Sequence, residues 1–117
     1  MKMDRPTLAH VCVLLALTAL AVITARADQP SPARQEELVR MVRQDCGSCH
    51  GLTFKGGLGP ALLPEALRGK PTEGLVFTVL QGRPGTAMPG WQRFMTEAEA
   101  TWVVDRLQQG FPPVAVR

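Results

Sequence analysis

The sequence predicts a small all-α protein, three main helices plus a short one, and three observations carry that reading. Apolar residues recur at helical spacing in three separate stretches. Cap signals stand at the expected helix starts, Ser31 before Pro32 and Thr96 three residues before Glu99. The intervening stretches are rich in glycine and proline, and no stretch alternates with the strand period of two.

The first 27 residues stand apart from this pattern. Lys2 and Arg5 form a short positive region, 11–25 is almost wholly apolar, and Ala25-Arg26-Ala27 has the small-x-small form of a cleavage site. We read 1–27 as a leader for general export to the periplasm, removed afterwards, with no twin-arginine pair and no second apolar stretch for stable membrane insertion. Cleavage also removes Cys12 and His10. Residues 28–117 then form one domain, close to the size at which a protein core alone is marginal. Loss of Lys2, Asp4, Arg5 and Arg26 lowers the formal charge from +3 to +1, so no basic surface points to nucleic acid.

Within the domain, the first helix is expected from Pro32 to about Cys46, with Leu38, Val39, Val42 and Cys46 on its apolar stripe. Residues 51–70 break the pattern with Gly56, Gly57, Gly59, Pro60 and Pro64, leaving room for a short helix over 64–67. A third helix opens at Pro71-Thr72 with Thr72 as cap and closes at Gly82. Its apolar residues, Leu75, Val76, Phe77, Val79 and Leu80, cover most of the circumference and predict burial. A second glycine and proline loop, 82–91, leads to a last helix from Thr96 to Gly110 with Ala100, Val103, Val104 and Leu107 inward and Trp102 on the opposite face.

The chemistry concentrates at Cys46-Gly47-Ser48-Cys49-His50. Two cysteines three apart share one face of a helical turn, so their sulfurs reach both vinyl groups on one edge of a porphyrin, and His50 follows as proximal iron ligand. A zinc site would need further Cys or His ligands, and none occurs after residue 50. A thioredoxin-type pair would need a βαβ setting. With His10 gone, the sixth ligand falls to Met41, Met88 or Met95. Pro89 holds Met88 out of helical geometry in an irregular loop, whereas Met41 precedes the tether and Met95 points toward a helix core, so Met88 is favoured and Met95 is the runner-up. A thioether ligand raises the reduction potential relative to a second histidine, as suits an electron carrier.

These residues together, the C-x-x-C-H run after an N-terminal helix, the Gly-Pro loop, the Met88-Pro89 loop and the C-terminal helix, resemble a class I cytochrome c over nearly all of 31–111. Within that class the chain is most similar to small periplasmic cytochromes of nitrite-reductase clusters, the c-55X type, on 45–51, 56–62 and 82–91. The resemblance implies a class I cytochrome c fold around one covalent haem c, and Pro60 offering its carbonyl to the outer nitrogen of His50, which fixes the ligand's tautomer. It also implies a carrier of single electrons, not an enzyme, fed by upstream quinol-linked cytochromes and delivering to nitrite reductase in denitrification. Alternatives are an accessory cytochrome in maturation of that reductase's haem and a five-coordinate haem protein binding small ligands. Arg106 stands where many members carry an aromatic residue that packs on the first helix.

For docking, Lys55, Arg68, Lys70, Arg83 and Arg93 outnumber Glu65 and Glu73 over 51–93 and suggest a weakly basic ring around the haem edge. Trp91 or Phe54 would supply an apolar patch instead.

Overall fold

The computed structural model describes residues 29–113 together with His10. The expected leader, 1–27, lies outside the described residues apart from that histidine.

Ser31 opens helix α1 (Pro32–Met41). Its hydroxyl accepts the Arg34 N–H at 3.3 Å, and Pro32, which has no N–H to satisfy, takes the first helical position. Leu38 and Val39 are its buried residues. The predicted single helix to Cys46 does not hold. The chain widens into a π-helical turn at Val42–Cys46 before a last α-turn, α2 (Gly47–His50). A π-turn carries an extra residue and shifts the helical phase, which α-spacing in the sequence does not reveal.

Helix α3 (Pro64–Leu67) follows the first glycine loop as predicted, with Pro64 at its start and Leu67 buried. Helix α4 (Thr72–Gln81) ends at Gly82, but Thr72 is not its cap. Pro71 holds that position without a side-chain bond, and the Thr72 hydroxyl donates instead to Gln108 Oε1 at 3.0 Å. Val76 is the one buried residue of this helix, and Phe77, expected inside, is 67% exposed. The helix meets the protein along the Val76 side, which leaves Phe77, one helical step around, facing outward.

Helix α5 (Glu97–Gln109) has the predicted capping box. Thr96 Oγ1 accepts the Glu99 N–H at 3.2 Å and Glu99 Oε2 accepts the Thr96 N–H at 2.8 Å. It is the central element, packing against both α3 and α4. Leu38, Val42, Val103 and Val104 form the fully buried centre of one apolar cluster. Trp102, on the opposite side of α5, is also buried, with its indole N–H unpartnered and the Arg106 guanidinium 5.4 Å over its ring. At Arg106, a cation stacked on a neighbouring indole takes the place of the aromatic residue common in the resembled family.

Among the described residues every regular element is helical, and no helix is long and apolar enough to cross a membrane.

Candidate haem site

The π-turn and α2 carry the C-x-x-C-H run, and Ser48 Oγ caps the turn by donating to the Asp45 carbonyl at 2.7 Å. Cys46 and Cys49 are free thiols, the first half-buried and the second exposed. Burial, with the Asp45 carboxylate adding to it, pushes the Cys46 thiol up to about 11, so it is protonated at neutral pH.

His50 is buried, and its Nδ1 lies 2.7 Å from the Pro60 carbonyl oxygen. A carbonyl only accepts, so Nδ1 carries the proton and Nε2 keeps its lone pair for a metal. The carbonyl is held there by loop 51–62, which folds back on α2. Gly56 N–H donates to His50 O and Gly59 N–H to Cys49 O, both at 2.8 Å. Phe54 N–H donates to Gly51 O at 2.8 Å, and Leu62 N–H returns to Phe54 O at 2.9 Å. Glycine is required at the closest approach, since a Cβ on Gly59 would lie 2.7 Å from both Cε1 and Nδ1 of His50. Two thiols, an imidazole bonded through one nitrogen and a loop with glycine at its closest approach suit a haem joined through thioethers and bound by histidine.

Met88 stands on a different loop, between α4 and α5. Arg83 N–H donates to Met88 O at 3.1 Å, and Met88 N–H to Thr86 Oγ1 at 3.3 Å, while Trp91 N–H and Gln92 N–H return to Val79 O and Leu80 O. Gly82, at φ 71°, lets Met88 O come within 2.6 Å of where a Cβ would be. These bonds hold Met88 half-buried in an ordered turn. Met95, the runner-up for the iron, is 5% exposed within the apolar cluster. Met41 is half-buried against the same cluster.

The five basic side chains at Lys55, Arg68, Lys70, Arg83 and Arg93 are all exposed. Phe54 cannot serve as an apolar docking residue, because it is 3% exposed and stacks edge-on with Phe111 at 5.5 Å. Trp91 is half-buried, and its neighbour Phe94, 57% exposed, offers more apolar surface. Sequence reasoning placed Gly59 in a close-approaching loop without its contact to His50, and missed Arg34 and Arg43 as supports of the site. A glycine before Pro60 was the one available hint, and the two arginines gave none, being ordinary members of a polar helix face.

The helical fold, the paired thiols and the prepared imidazole define a c-type cytochrome, with one haem c as its cofactor. The family described as cytochrome c oxidase, cbb3-type, subunit III matches residues 33–105. Cytochrome c55X of Pseudomonas aeruginosa is 57% identical over 97 residues, 82% of this chain and 82% of its own. Among solved structures, the c-type cytochrome NirC aligns with a TM-score of 0.69 and 58% identity, covering 70% of this chain and 96% of that one. Dihydro-heme d1 dehydrogenase NirN in complex with DHE aligns at a TM-score of 0.57 and 38% identity over 63% of this chain but 16% of its own. The chain belongs to the cytochrome c family, in the group of cytochrome c55X, and its fold is that of class I.

Proposed function

We propose that this chain is a periplasmic carrier of single electrons in denitrification, exported by way of a leader at 1–27 and serving nitrite reductase. Cys46 and Cys49 would hold the haem by thioethers, and His50 and Met88 would ligate its iron. The haem, when bound, supplies a one-electron ferric/ferrous couple. His50, fixed in one tautomer by Pro60 O, supplies a basic Nε2, and Met88 supplies a soft thioether that favours the reduced state. Each residue is held by hydrogen bonds, His50 from loop 51–62 and Met88 from its own loop, so neither would have to move between oxidation states. That keeps reorganisation small. Lys55, Arg68, Lys70, Arg83 and Arg93 draw an acidic partner toward the haem edge.

The observation that carries the reading is the 2.7 Å contact between His50 Nδ1 and Pro60 O, a preparation of the imidazole that no packing role requires. The test is an optical titration of the purified holoprotein with carbon monoxide. Wild type and Met95→Ala should not bind it, and Met88→Ala should, with a lowered reduction potential. A complex in Met95→Ala and not in Met88→Ala reverses the assignment, and a complex in wild type sinks the carrier in favour of a five-coordinate haem protein.

A second reading, an accessory cytochrome in maturation of the reductase's haem, draws on the alignment with the small part of dihydro-heme d1 dehydrogenase. It shares the site and differs in partner. Comparing electron exchange with purified nitrite reductase and with a haem d1 precursor-oxidising enzyme separates the two.

A further inference from the structure

Arg43, in the π-turn, reaches across to the tail after α5. Its Nη2 donates to Phe111 O at 2.9 Å and Pro112 O at 2.8 Å, its Nε donates to Pro112 O at 3.2 Å, and its Nη1 lies 3.5 Å from Leu52 O. The guanidinium also lies 4.8 Å from the Phe54 ring and 5.5 Å from the Phe111 ring. One side chain thus joins the π-turn, the tail after α5 and the loop that cradles His50.

The point it grips in that loop is unusual. Phe54 has φ 58°, and it is the non-glycine residue in the left-handed region among the described residues. A bulky side chain holds that conformation only where its surroundings impose it. Here they are the Arg43 guanidinium and the Phe111 edge. Phe54 in turn ties both ends of the loop, to Gly51 on one side and Leu62 on the other, and Pro60 lies between.

We propose that Arg43 is a positioning residue for His50. By clamping Phe111 onto Phe54 it fixes loop 51–62, and through that loop the hydrogen bond from His50 Nδ1 to Pro60 O, so that it helps to set the reduction potential. This rests on His50 being the proximal iron ligand. A firm Nδ1–H bond makes the imidazole a stronger donor and favours ferric iron, so loosening the loop raises the potential. Deleting the cation would act the other way, since a nearby positive charge favours the less charged ferrous iron. The informative variants therefore keep the charge, Arg43→Lys losing the planar fork and Phe111→Ala losing the edge it grips.

The experiment uses the holoprotein. Reduction potentials are measured for wild type, Arg43→Lys and Phe111→Ala, and the His50 Nδ1–H proton is followed by NMR in the reduced state. Both variants should show a raised potential and faster solvent exchange of that proton, with the haem still attached. An unchanged or lowered potential in both, or an unchanged exchange rate, overturns the proposal even if both melt at lower temperature, because a purely structural clamp would do only the latter. Should Arg43→Lys fail to yield folded protein, Phe111→Ala alone decides by the same criteria. Failure of the underlying ligand assignment is visible separately, as the absence of paramagnetic shifts on the His50 ring in oxidised wild type.

Discussion

Replacing Gly59 by alanine tests the preparation of His50 directly. A methyl group built there would meet Cε1 and Nδ1 of the imidazole at 2.7 Å and Cγ at 3.2 Å, whereas ordinary contact begins at 3.4 Å. The ring or the loop must therefore give way by about 0.7 Å, more than close-packed interiors absorb freely. Overpacking of this kind costs about 1–3 kcal/mol. The ring cannot retreat without lengthening its 2.7 Å contact to Pro60 O, a bond whose loss costs about 1 kcal/mol more. At about 4–8 °C per kcal/mol for a domain of this size, the melting temperature of the holoprotein should fall by at least several degrees. The reduction potential should rise with it. Gly74→Ala is the control. Nothing lies within 4 Å of the place its methyl group would take inside α4, so it should be neutral or stabilise by up to about 1 kcal/mol. A Gly59→Ala protein with the wild-type melting temperature and potential would refute the claim that the imidazole is pressed against this glycine.

Three further outcomes follow from the same structure. Cys46→Ser with Cys49→Ser should abolish covalent haem, read as loss of haem-peroxidase stain after denaturing electrophoresis; a stained band in the double variant would end the thioether assignment. The Arg34 guanidinium, 2.7 Å from Glu99 Oε1, holds the Glu99 carboxyl below the usual carboxylate range. A depressed carboxyl contributes stability that is complete above the unfolded value of about 4.3 and is lost as pH falls through the folded value. Glu99→Gln keeps the capping geometry while removing the ion pair, so it should cost about 1–2 kcal/mol at neutral pH and flatten the acid limb of the stability curve; an unchanged acid limb would assign it elsewhere. Lys55→Glu with Arg83→Glu should slow electron transfer to an acidic partner at low salt and leave the haem spectrum unaltered, with the difference closing as the Debye length falls below about 8 Å. A rate indifferent to salt and to both substitutions would move docking to apolar surface such as Phe94.

What the sequence disclosed and what it withheld divide by range. Ser31 with Pro32, and Thr96 with Glu99, act over three residues, so their chemistry is complete within a short string and both caps stand where expected. The Cys46 to His50 run is equally local. Thr72 has the same cap chemistry, yet its hydroxyl goes to Gln108, 36 positions away, because the tertiary partner offers a better acceptor than the local backbone. Phe77 failed for a related reason, since hydrophobicity around a helix does not say which side meets the core. Phe54 shows the limit most clearly. Its left-handed backbone, its burial and its contacts with Arg43 and Phe111 all depend on a tail nearly 60 residues later in the chain.

The two arginines of the first helical segment explain how loops so rich in glycine can hold a site steady. Arg34 lies near the start of α1 and donates to Phe94 O at 2.7 Å as well as to Glu99, which fastens the stretch that follows the Met88 loop. Arg43 lies past the other end of α1 and fastens Leu52, Phe54 and the tail beside the His50 loop. Between them Leu38 and Val42 are fully buried, in the same apolar cluster as Val103 and Val104. Apolar contact is non-directional, so that cluster fixes how closely the helices approach while leaving rotation and sliding weakly opposed. Charged hydrogen bonds to carbonyl and carboxylate groups are directional and short, and they oppose those two motions. Glycine loops lose much conformational entropy on ordering, and the two arginines supply fixed anchors beside them from the helical segment that runs from Pro32 to Cys46. The helical segment from Pro32 to Cys46 therefore acts as a spacer between the loop that contacts His50 and the segment that follows Met88. A change at either arginine should disturb the segments beside His50 and Met88 before it lowers the helical content of the protein.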